Sequence, residues 1–483
     1  LNLEVVSFIL GRLSLACGSV LVLPLLAAFF YQEPSIRAFG VSIFICLGLG
    51  MFLCRLGRLE TEHLSVREGI AITGIGWIMV TFLGMVPYAA GGYLKVLDGV
   101  FETISGLSGT GATVIDSLET LPHSILLWRS LTHWFGGLGI IVIFIALLPQ
   151  FGRGAVYMFN AESTGPTSDR VLPRIKSMAM ALFAVYLVFT VAAAAVYMLC
   201  GMNFLDAVDH SFSTIATGGF SNYDASIAHF NNPVLEGWII FFMVISSANF
   251  GMYVMAWRHG WHIIWENTEF KTYLFLVLAT TAAVTIDLFM NSNLPAATSF
   301  RYAIFQTASL SSTTGFVSAD FDVWPSFSKL CLMMLMFVGG CAGSTAGGLK
   351  VSRLIILIKA MYSIVWQKLH PQMVPHVHLD GVAYTADVLL GVGRFFFAYL
   401  MLDVLWALLL IADGVPVLDS IGISVSTMGS VGPAFGMAGP TCTYSGLPDF
   451  SKVVVCFSML LGRLETFTIL VMLNPEFWHR KKW

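Results

Sequence analysis

The stretch Ser309-Leu310-Ser311-Ser312-Thr313-Thr314-Gly315-Phe316 decides the fold, because its frame occurs three more times in the chain. With Gly111, Gly219, Gly315 and Gly432 in register, a serine falls six residues before each: Ser105, Ser213, Ser309 and Ser426. Thirteen residues before the glycine, three copies read Leu97-Asp98, Leu205-Asp206 and Leu418-Asp419; the third copy has Arg301-Tyr302 there. The glycine contexts are Thr110-Gly111-Ala112, Thr217-Gly218-Gly219-Phe220, Thr313-Thr314-Gly315-Phe316 and Ser430-Val431-Gly432-Pro433. Each glycine ends a short, moderately apolar stretch, at 97–111, 205–219, 302–315 and 418–432, too short to cross a bilayer and readable as a re-entrant segment. Repeats set architecture and are read first.

Working outward, long apolar segments flank these stretches. Ten appear, near 7–31, 38–54, 70–90, 123–148, 178–200, 233–256, 271–290, 328–361, 385–412 and 449–474, each read as a span of about 20 residues or more. Two later segments open alike, Phe327-Ser328-Lys329 and Phe450-Ser451-Lys452, and each has a glycine ten residues after the lysine, Gly339 and Gly462; Gly136 and Gly137 lie at similar depth in the first copy. The unit is helix, half-helix, glycine turn, helix. The expected fold is therefore an all-α polytopic membrane protein with four such repeats (M1, pore helix, M2) around one central pore, plus two extra N-terminal helices. The expected divisions are 1–66 for that extension, 67–150, 151–260, 261–370 and 371–483 for the repeats.

Composition agrees. Of 483 residues 57% are hydrophobic and 11% charged, with a mean hydropathy of +0.80. A soluble domain carries about 25% charged residues, and this supply cannot cover a water-facing surface. Net charge is -3, which gives nucleic-acid binding no electrostatic basis. The eight cysteines form no CxxC, and the scattered His133, His210, His229, His259 and His262 make no HExxH, so neither a zinc site nor an enzyme is expected. Lys and Arg gather in alternate loops, with Arg55, Arg58, Arg67, Arg153, Arg170, Arg174, Lys176, Arg258, Lys359 and Lys368, and in the tail Arg480, Lys481 and Lys482. The positive-inside rule puts these loops and both termini in the cytoplasm. The first segment lacks a basic leader and is read as a retained helix.

Irregular backbone at membrane depth is tolerated where it is buried or lines a cavity. Four glycine turns about one axis can aim carbonyl oxygens at a common point, since glycine takes φ > 0 without steric cost. Rings of carbonyls replace the hydration shell of potassium, and the C-terminal ends of four half-helices add partial negative charge. No acidic ring accompanies the glycines, which favours a monovalent cation over a hard divalent one. The blander alternative is that the glycines only cap helices or permit close packing. Asp116, Asp224, Asp320 and Asp322 at the outer mouth either concentrate cations or sit in a solvated loop. Lys329 and Lys452 are expected to snorkel outward, Lys350 and Arg353 to serve the inner positive rim, and Arg129 to anchor a neighbouring segment.

The segment 328–361 is too long for one span and holds Gly339, Gly340, Gly343, Gly347 and Gly348, with Ser344 and Thr345. Glycine costs about 1 kcal/mol per helix-interior position, so the helix should break there, as an obstructing loop under the filter or as a packing kink. Arg463 lies mid-segment between Leu461 and Phe467. It must face water or a partner: it either projects toward the pore and repels cations, or binds carbonyls freed by the broken neighbour.

These motifs resemble the Trk/Ktr/HKT superfamily of potassium transporters, most closely its bacterial TrkH branch, over essentially the whole chain. The fourfold glycine set and Gly339-Gly340-Cys341-Ala342-Gly343-Ser344-Thr345-Ala346-Gly347-Gly348-Leu349-Lys350 carry the resemblance. It implies potassium as transported substrate with no organic cofactor. Selectivity would come from backbone carbonyls of Thr110, Gly111, Gly218, Gly219, Thr314, Gly315, Val431 and Gly432. It further implies that the loop is a gate, that Arg463 faces the pore, and that the setting is a bacterial inner membrane. A homodimer is implied too, with a cytosolic nucleotide-binding regulatory ring resembling TrkA, docked on loops 149–176, 257–270 and 362–384. Relatives that admit sodium often carry serine at the first filter glycine, where this chain has Gly111. A coupled transporter moving potassium with protons or sodium is the alternative, with Glu465, Asp403 or Glu102 as the titratable group.

Overall fold

The computed structural model describes residues 2–57, 65–139, 173–292, 294–370, 377–380, 382–464 and 467–478. It is helical throughout apart from a small antiparallel hairpin, Val377–Leu379 with Val382–Tyr384. Among the described residues six helices are long and apolar enough to cross a membrane: Leu3–Phe30, Ile36–Leu56, Arg67–Ala90, Ser177–Leu199, Thr268–Asn291 and Ala386–Ala412. Except in Arg67–Ala90, their apolar side chains are largely exposed, with Phe44 78%, Phe275 68% and Phe397 66% accessible. Such surfaces are stable against lipid and not against water. The chain is a multi-pass membrane protein.

The last four of these helices open the four repeats. Each leads into a short helix, Val96–Ser108, Phe204–Ile215, Ala296–Ser311 or Val417–Met428. A turn follows, and then a second helix starting at His123, Pro233, Ser326 or Asp449. The second helix of each repeat packs on the short helix of the next. His123–Gly137 meets Phe204–Ile215, Pro233–Ser246 meets Ala296–Ser311, Ser326–Val338 meets Val417–Met428, and Asp449–Arg463 returns to Val96–Ser108. The repeats thus close into a ring, with the N-terminal pair packed outside against Val66–Gly84 and His123–Gly137.

Polar pairs mark the seams. Lys452 meets Asp98 at 2.8 Å, Arg301 meets Glu236 at 2.7 Å, and the Ser130 hydroxyl donates to Asp209 at 2.6 Å. This explains why the third copy departs from Leu-Asp. Its Arg301 faces an acid on the preceding repeat, whereas Asp98 faces a lysine. Three second helices are capped alike by a distant carboxylate: Glu33 on Ser124, Asp287 on Ser328 and Asp413 on Ser451 take both the backbone N–H and the hydroxyl.

Three expectations are corrected. The ten segments are not ten continuous helices. Besides the anticipated break after Val338, the helix from Pro233 stops at Ser246 and resumes at Phe250 bent by 86°, and the helix from Asp449 stops at Arg463. Asn249 caps the resumed helix, its side chain accepting from the Gly251 N–H at 2.8 Å, so an Asn inside an apolar run was the overlooked signal. Lys452 does not snorkel but is buried, 6% exposed, in its ion pair with Asp98, whereas the partly exposed Lys329 reaches the outer Asp322 at 3.2 Å; of the expected inner rim, Lys350 is buried with its ammonium on the Ala346 carbonyl. Arg353 is buried over the Phe395 ring at 3.8 Å. Glu465, Arg58, Arg153, Arg170, residues 480–482 and most of loop 149–176 lie outside the described residues.

Candidate functional site: four glycine turns and the loop beneath them

Each short helix ends in the same hydrogen-bonded turn. The residue before the ring glycine donates its N–H five residues back, to the carbonyl of the register serine: Thr110 to Ser105 at 3.0 Å, Gly218 to Ser213 at 2.8 Å, Thr314 to Ser309 at 2.9 Å and Val431 to Ser426 at 2.9 Å. One residue earlier, Gly109, Thr217, Thr313 and Ser430 lie in the left-handed region, at φ 72°, 52°, 55° and 55°. This is a helix-terminating motif with a left-handed residue just past the last turn. The register glycines are left-handed as well, at φ 79°, 84°, 79° and 99°.

The four turns meet head to tail. A side-chain carbon built on Gly111 would fall on the Gly218 carbonyl oxygen, on Gly219 on that of Thr314, on Gly315 on that of Val431, and on Gly432 on that of Thr110. One closed circuit of backbone results, with no room for a side chain at any of the four glycines. All four line a single outer cavity of about 140 Å³.

What braces the circuit differs from turn to turn. In the third and fourth, the register serine also donates its hydroxyl past the glycine, Ser309 to Phe316 O at 2.7 Å and Ser426 to Pro433 O at 2.9 Å. Ser105 and Ser213 are buried, and their hydroxyls have no such partner among the described residues. There the brace comes from the second helix of repeat 1. Arg129, buried, bonds Glu102 at 2.8 Å and Ser221 O at 3.1 Å and stacks on Phe220 at 4.0 Å. Glu102 accepts from Thr113 and from Val114 N–H. His133, one helical turn on, lies 2.7 Å from Gly106 O by Nδ1 and accepts the Phe220 N–H at Nε2, 3.2 Å, which requires the neutral Nδ1–H tautomer. Arg129 is the anchor expected of it. The Gly432 carbonyl also accepts from the Tyr444 hydroxyl at 2.6 Å.

Of the outer aspartates, Asp320 accepts the Asp322 N–H within its own repeat, and the other three are cross-links between repeats. Asp116 accepts from Ser445 and Thr443, Asp224 from Leu118 N–H, and Asp322 from Gly436 N–H. The hydrogen bonds from Ser445 and Thr443 hold the Asp116 carboxyl below the usual carboxylate range.

Beneath the circuit runs the loop 339–350. Glu269, on Thr268–Asn291, the long helix that opens repeat 3, accepts from both sides of the loop, Ala342 N–H at 2.6 Å and Ser352 N–H at 3.0 Å. Cys341 N–H donates to Ser247 O at 2.9 Å, and Phe250 N–H to Gly343 O at 3.0 Å, so the break in repeat 2 receives the loop of repeat 3. The Thr345 hydroxyl bonds Ile215 O and Ser246 O and lies 3.2 Å from Thr217 Oγ1. Gly347 N–H donates to Thr313 Oγ1 at 2.7 Å, and a carbon added to Gly347 would strike the Gly429 carbonyl. Ser344 stays within the loop, its hydroxyl on Cys341 O at 2.6 Å. Gly339 and Gly348 pack on each other, and Gly340 packs on Ala346 and Ser247.

Arg463 donates to Thr345 O at 3.1 Å, to Gly137 O at 2.6 Å and to Gly136 O. It fastens the loop to the ends of the first and fourth second helices, so the loop is tied to all four repeats. Of the sequence candidates, the structure brings Thr110, Gly111, Ala112, Gly218, Gly219, Thr314, Gly315, Val431 and Gly432 to one centre, with Thr217, Thr313, Ser430, Thr345, Gly347 and Arg463 directly beneath, while the Phe316 ring is buried beside that of His210. Gly109, Glu269 and Tyr444 were not singled out; only Gly109 carried a readable signal, its place two residues before the register glycine. No group of three or more His, Cys, Asp or Glu suited to hold a metal occurs among the described residues.

Comparison with known proteins agrees with this geometry. Residues 34–480 match the family described as TrkH, cation transport protein. The Trk system potassium uptake protein TrkH of Halomonas elongata is 35% identical over 99% of this chain and 100% of its own length. That of Escherichia coli K12 is 34% identical over the same shares. The crystal structure of the potassium transporter TrkH from Vibrio parahaemolyticus superposes with a TM-score of 0.89 at 33% identity, covering 98% of this chain and 99% of that one. The chain belongs to the TrkH family of cation transport proteins.

Proposed function

We propose that the protein takes up potassium across a bacterial inner membrane through a gated pore, with both termini in the cytoplasm. The observation that carries this reading is the closed circuit in which each ring glycine abuts the carbonyl before the next. The carbonyls of Thr110, Gly218, Thr314 and Val431 substitute for the hydration shell of a potassium ion, with those of Gly111, Gly219, Gly315 and Gly432 forming the adjacent layer. Ala112 and Phe316 extend these strands outward. The four short-helix C-termini add partial negative charge at the centre, and Glu102 neutralises Arg129 behind it.

The loop 339–350 is the gate. Its bonds to Ile215, Ser246, Thr313 and Glu269 support a closed arrangement, and Arg463 locks it while opposing a cation below the filter. The protein works as a homodimer with a cytosolic nucleotide-binding ring; the relatives' membership of a Trk system supports a partner. The test is rubidium-86 uptake by purified protein in vesicles with potassium, sodium and pH varied. Uptake that follows the potassium gradient and is competed by potassium over sodium supports the pore; uptake competed equally by sodium and potassium refutes the filter.

One observation favours coupled transport as a second reading. Asp403 is buried within Ala386–Ala412, the long helix that opens repeat 4, one oxygen on the Ser424 hydroxyl and the other without a hydrogen-bond partner among the described residues. Rubidium uptake driven by an imposed proton gradient alone, and abolished in Asp403→Asn, would select that reading.

A further inference from the structure

The two halves of the circuit are braced by different residues. In repeats 3 and 4 one serine holds both sides of the ring glycine. Ser309 and Ser426 accept, by their carbonyls, the N–H of the residue before it, and donate their hydroxyls to the carbonyl of the residue after it. Ser105 and Ser213 make only the first of these two bonds among the described residues. The strands beyond Gly111 and Gly219 therefore need a second tie from elsewhere.

Nine residues before the ring glycines stand Glu102, His210, Gln306 and Ile423, and two residues after them stand Thr113, Ser221, Val317 and Ala434. Only the first two pairs bring a hydroxyl to an acceptor, and both bond. Thr113 Oγ1 donates to the Glu102 carboxylate at 3.0 Å, and Ser221 Oγ donates to His210 Nε2 at 3.0 Å. The other His210 nitrogen lies 2.8 Å from the Asp206 carbonyl and so carries the proton, which leaves Nε2 as the acceptor. Each hydroxyl also accepts the N–H two residues on, from Ile115 and from Tyr223, both at 3.2 Å. Arg129 joins the two strands, donating to Thr113 Oγ1 at 3.3 Å and to Ser221 O at 3.1 Å. Glu102 and His210 are buried. In repeat 3, Gln306 lies 3.4 Å from Ser318 Oγ, one residue beyond Val317, and in repeat 4 Ile423 belongs to the apolar core.

We propose that Glu102 and His210 are positioning residues for the filter: through the hydroxyl two residues past the glycine, each holds the strand that carries the Gly111 or Gly219 carbonyl, the task that Ser309 and Ser426 perform in repeats 3 and 4. The inference rests on the filter reading above and adds which side chains keep its carbonyls in place. Every ring glycine then lies between two ties to its own short helix. In repeats 3 and 4 both end on one serine; in repeats 1 and 2 the second ends about one helical turn farther back. With one tie gone, a glycine peptide is free to rotate, and its oxygen leaves the ring. Discrimination between potassium and sodium depends on the number and placement of such carbonyls, so the ties act on ion preference and not on stability alone.

The experiment uses the full chain in vesicles, with rubidium-86 uptake competed by potassium or by sodium and folding checked by thermal unfolding. Thr113→Val with Ser221→Ala removes both hydroxyls and lowers the potassium-over-sodium preference about fivefold or more, the worth of one neutral hydrogen bond. Thr113→Ser, which keeps its hydroxyl, retains the preference. Ser309→Ala and Ser426→Ala lower it as the double variant does, whereas Ser105→Ala and Ser213→Ala shift it less than those two. His210→Gln, which keeps an acceptor oxygen, stays closer to wild type than His210→Leu, and this pair carries the test if the double variant does not fold. A folded double variant with wild-type preference overturns the proposal. So does one that loses potassium and sodium competition alike, or a shift in Ser105→Ala and Ser213→Ala as large as in Ser309→Ala and Ser426→Ala. Gly315→Ser is measured alongside. If it shifts the preference while the hydroxyl variants do not, the ties alone are wrong; if it too changes nothing, the filter reading fails and the proposal falls with it.

Discussion

Arg463→Ala tests the gate most directly. Among the described residues the guanidinium donates to three carbonyls: the bond to Thr345 O holds the loop, and those to Gly136 O and Gly137 O hold the first repeat against the fourth. A hydrogen bond to a charged group contributes about 1.5–3 kcal/mol. Losing the Thr345 bond therefore shifts the closed-to-open ratio by roughly 10- to 150-fold. The loop keeps its anchors on Ile215, Ser246, Thr313 and Glu269, so the variant leaks without losing its gate altogether. Basal rubidium flux in vesicles, with no activating partner or nucleotide, should rise by a factor in that range. Arg463→Lys separates charge from bonding. An ammonium keeps the repulsion but cannot span three carbonyls, so bonding control predicts a leak close to that of the alanine variant. Flux at or below the wild-type level in a folded Arg463→Ala protein would refute the reasoning, and a tight lysine variant would show that charge alone sets the barrier.

Three further outcomes are expected. Glu269→Ala leaves the Ala342 and Ser352 amides unpaired and should raise basal flux about tenfold or more, while Glu269→Gln, which retains an acceptor oxygen, leaks less; equal flux in both would remove Glu269 from the gate. Arg301→Ala should lower thermal stability by about 1–2 kcal/mol, discounted for the partly exposed arginine. Exchanging the pair as Arg301→Glu with Glu236→Arg should recover most of that loss, and a double variant no better than the single ones would deny the seam its role. Asp116 has a lowered carboxyl pKa, so its contribution is present above the normal aspartate value near ~3.9 and fades only as pH falls through the lower folded value. Acid unfolding should accordingly begin at higher pH in Asp116→Asn than in the parent, and identical acid midpoints would count against that link.

Much of the site was legible because its turns are local. The bond from Thr314 N–H to Ser309 O spans five residues, so a serine-to-glycine spacing is enough to reveal it. The glycine run at 339–348 announced a broken helix in the same way. The two other breaks were missed because Asn249 and Leu464 carry weaker signals inside apolar runs. The register also promised more symmetry than exists, since Ser309 and Ser426 brace the strand beyond the glycine and Ser105 and Ser213 do not.

The chain's own order of residues determined the four turns, the spans between them and the interruption under the filter, all products of bonds between near neighbours or of apolar length. Tertiary structure alone decided what each charged or polar side chain finds. Arg463 reaches carbonyls at 136 and 345, Glu269 the amides of 342 and 352, and Asp116 the hydroxyls of 443 and 445. Away from water, a polar group binds whichever backbone atoms a neighbouring helix end leaves open. Which helix end that is depends on how the four repeats close upon one another.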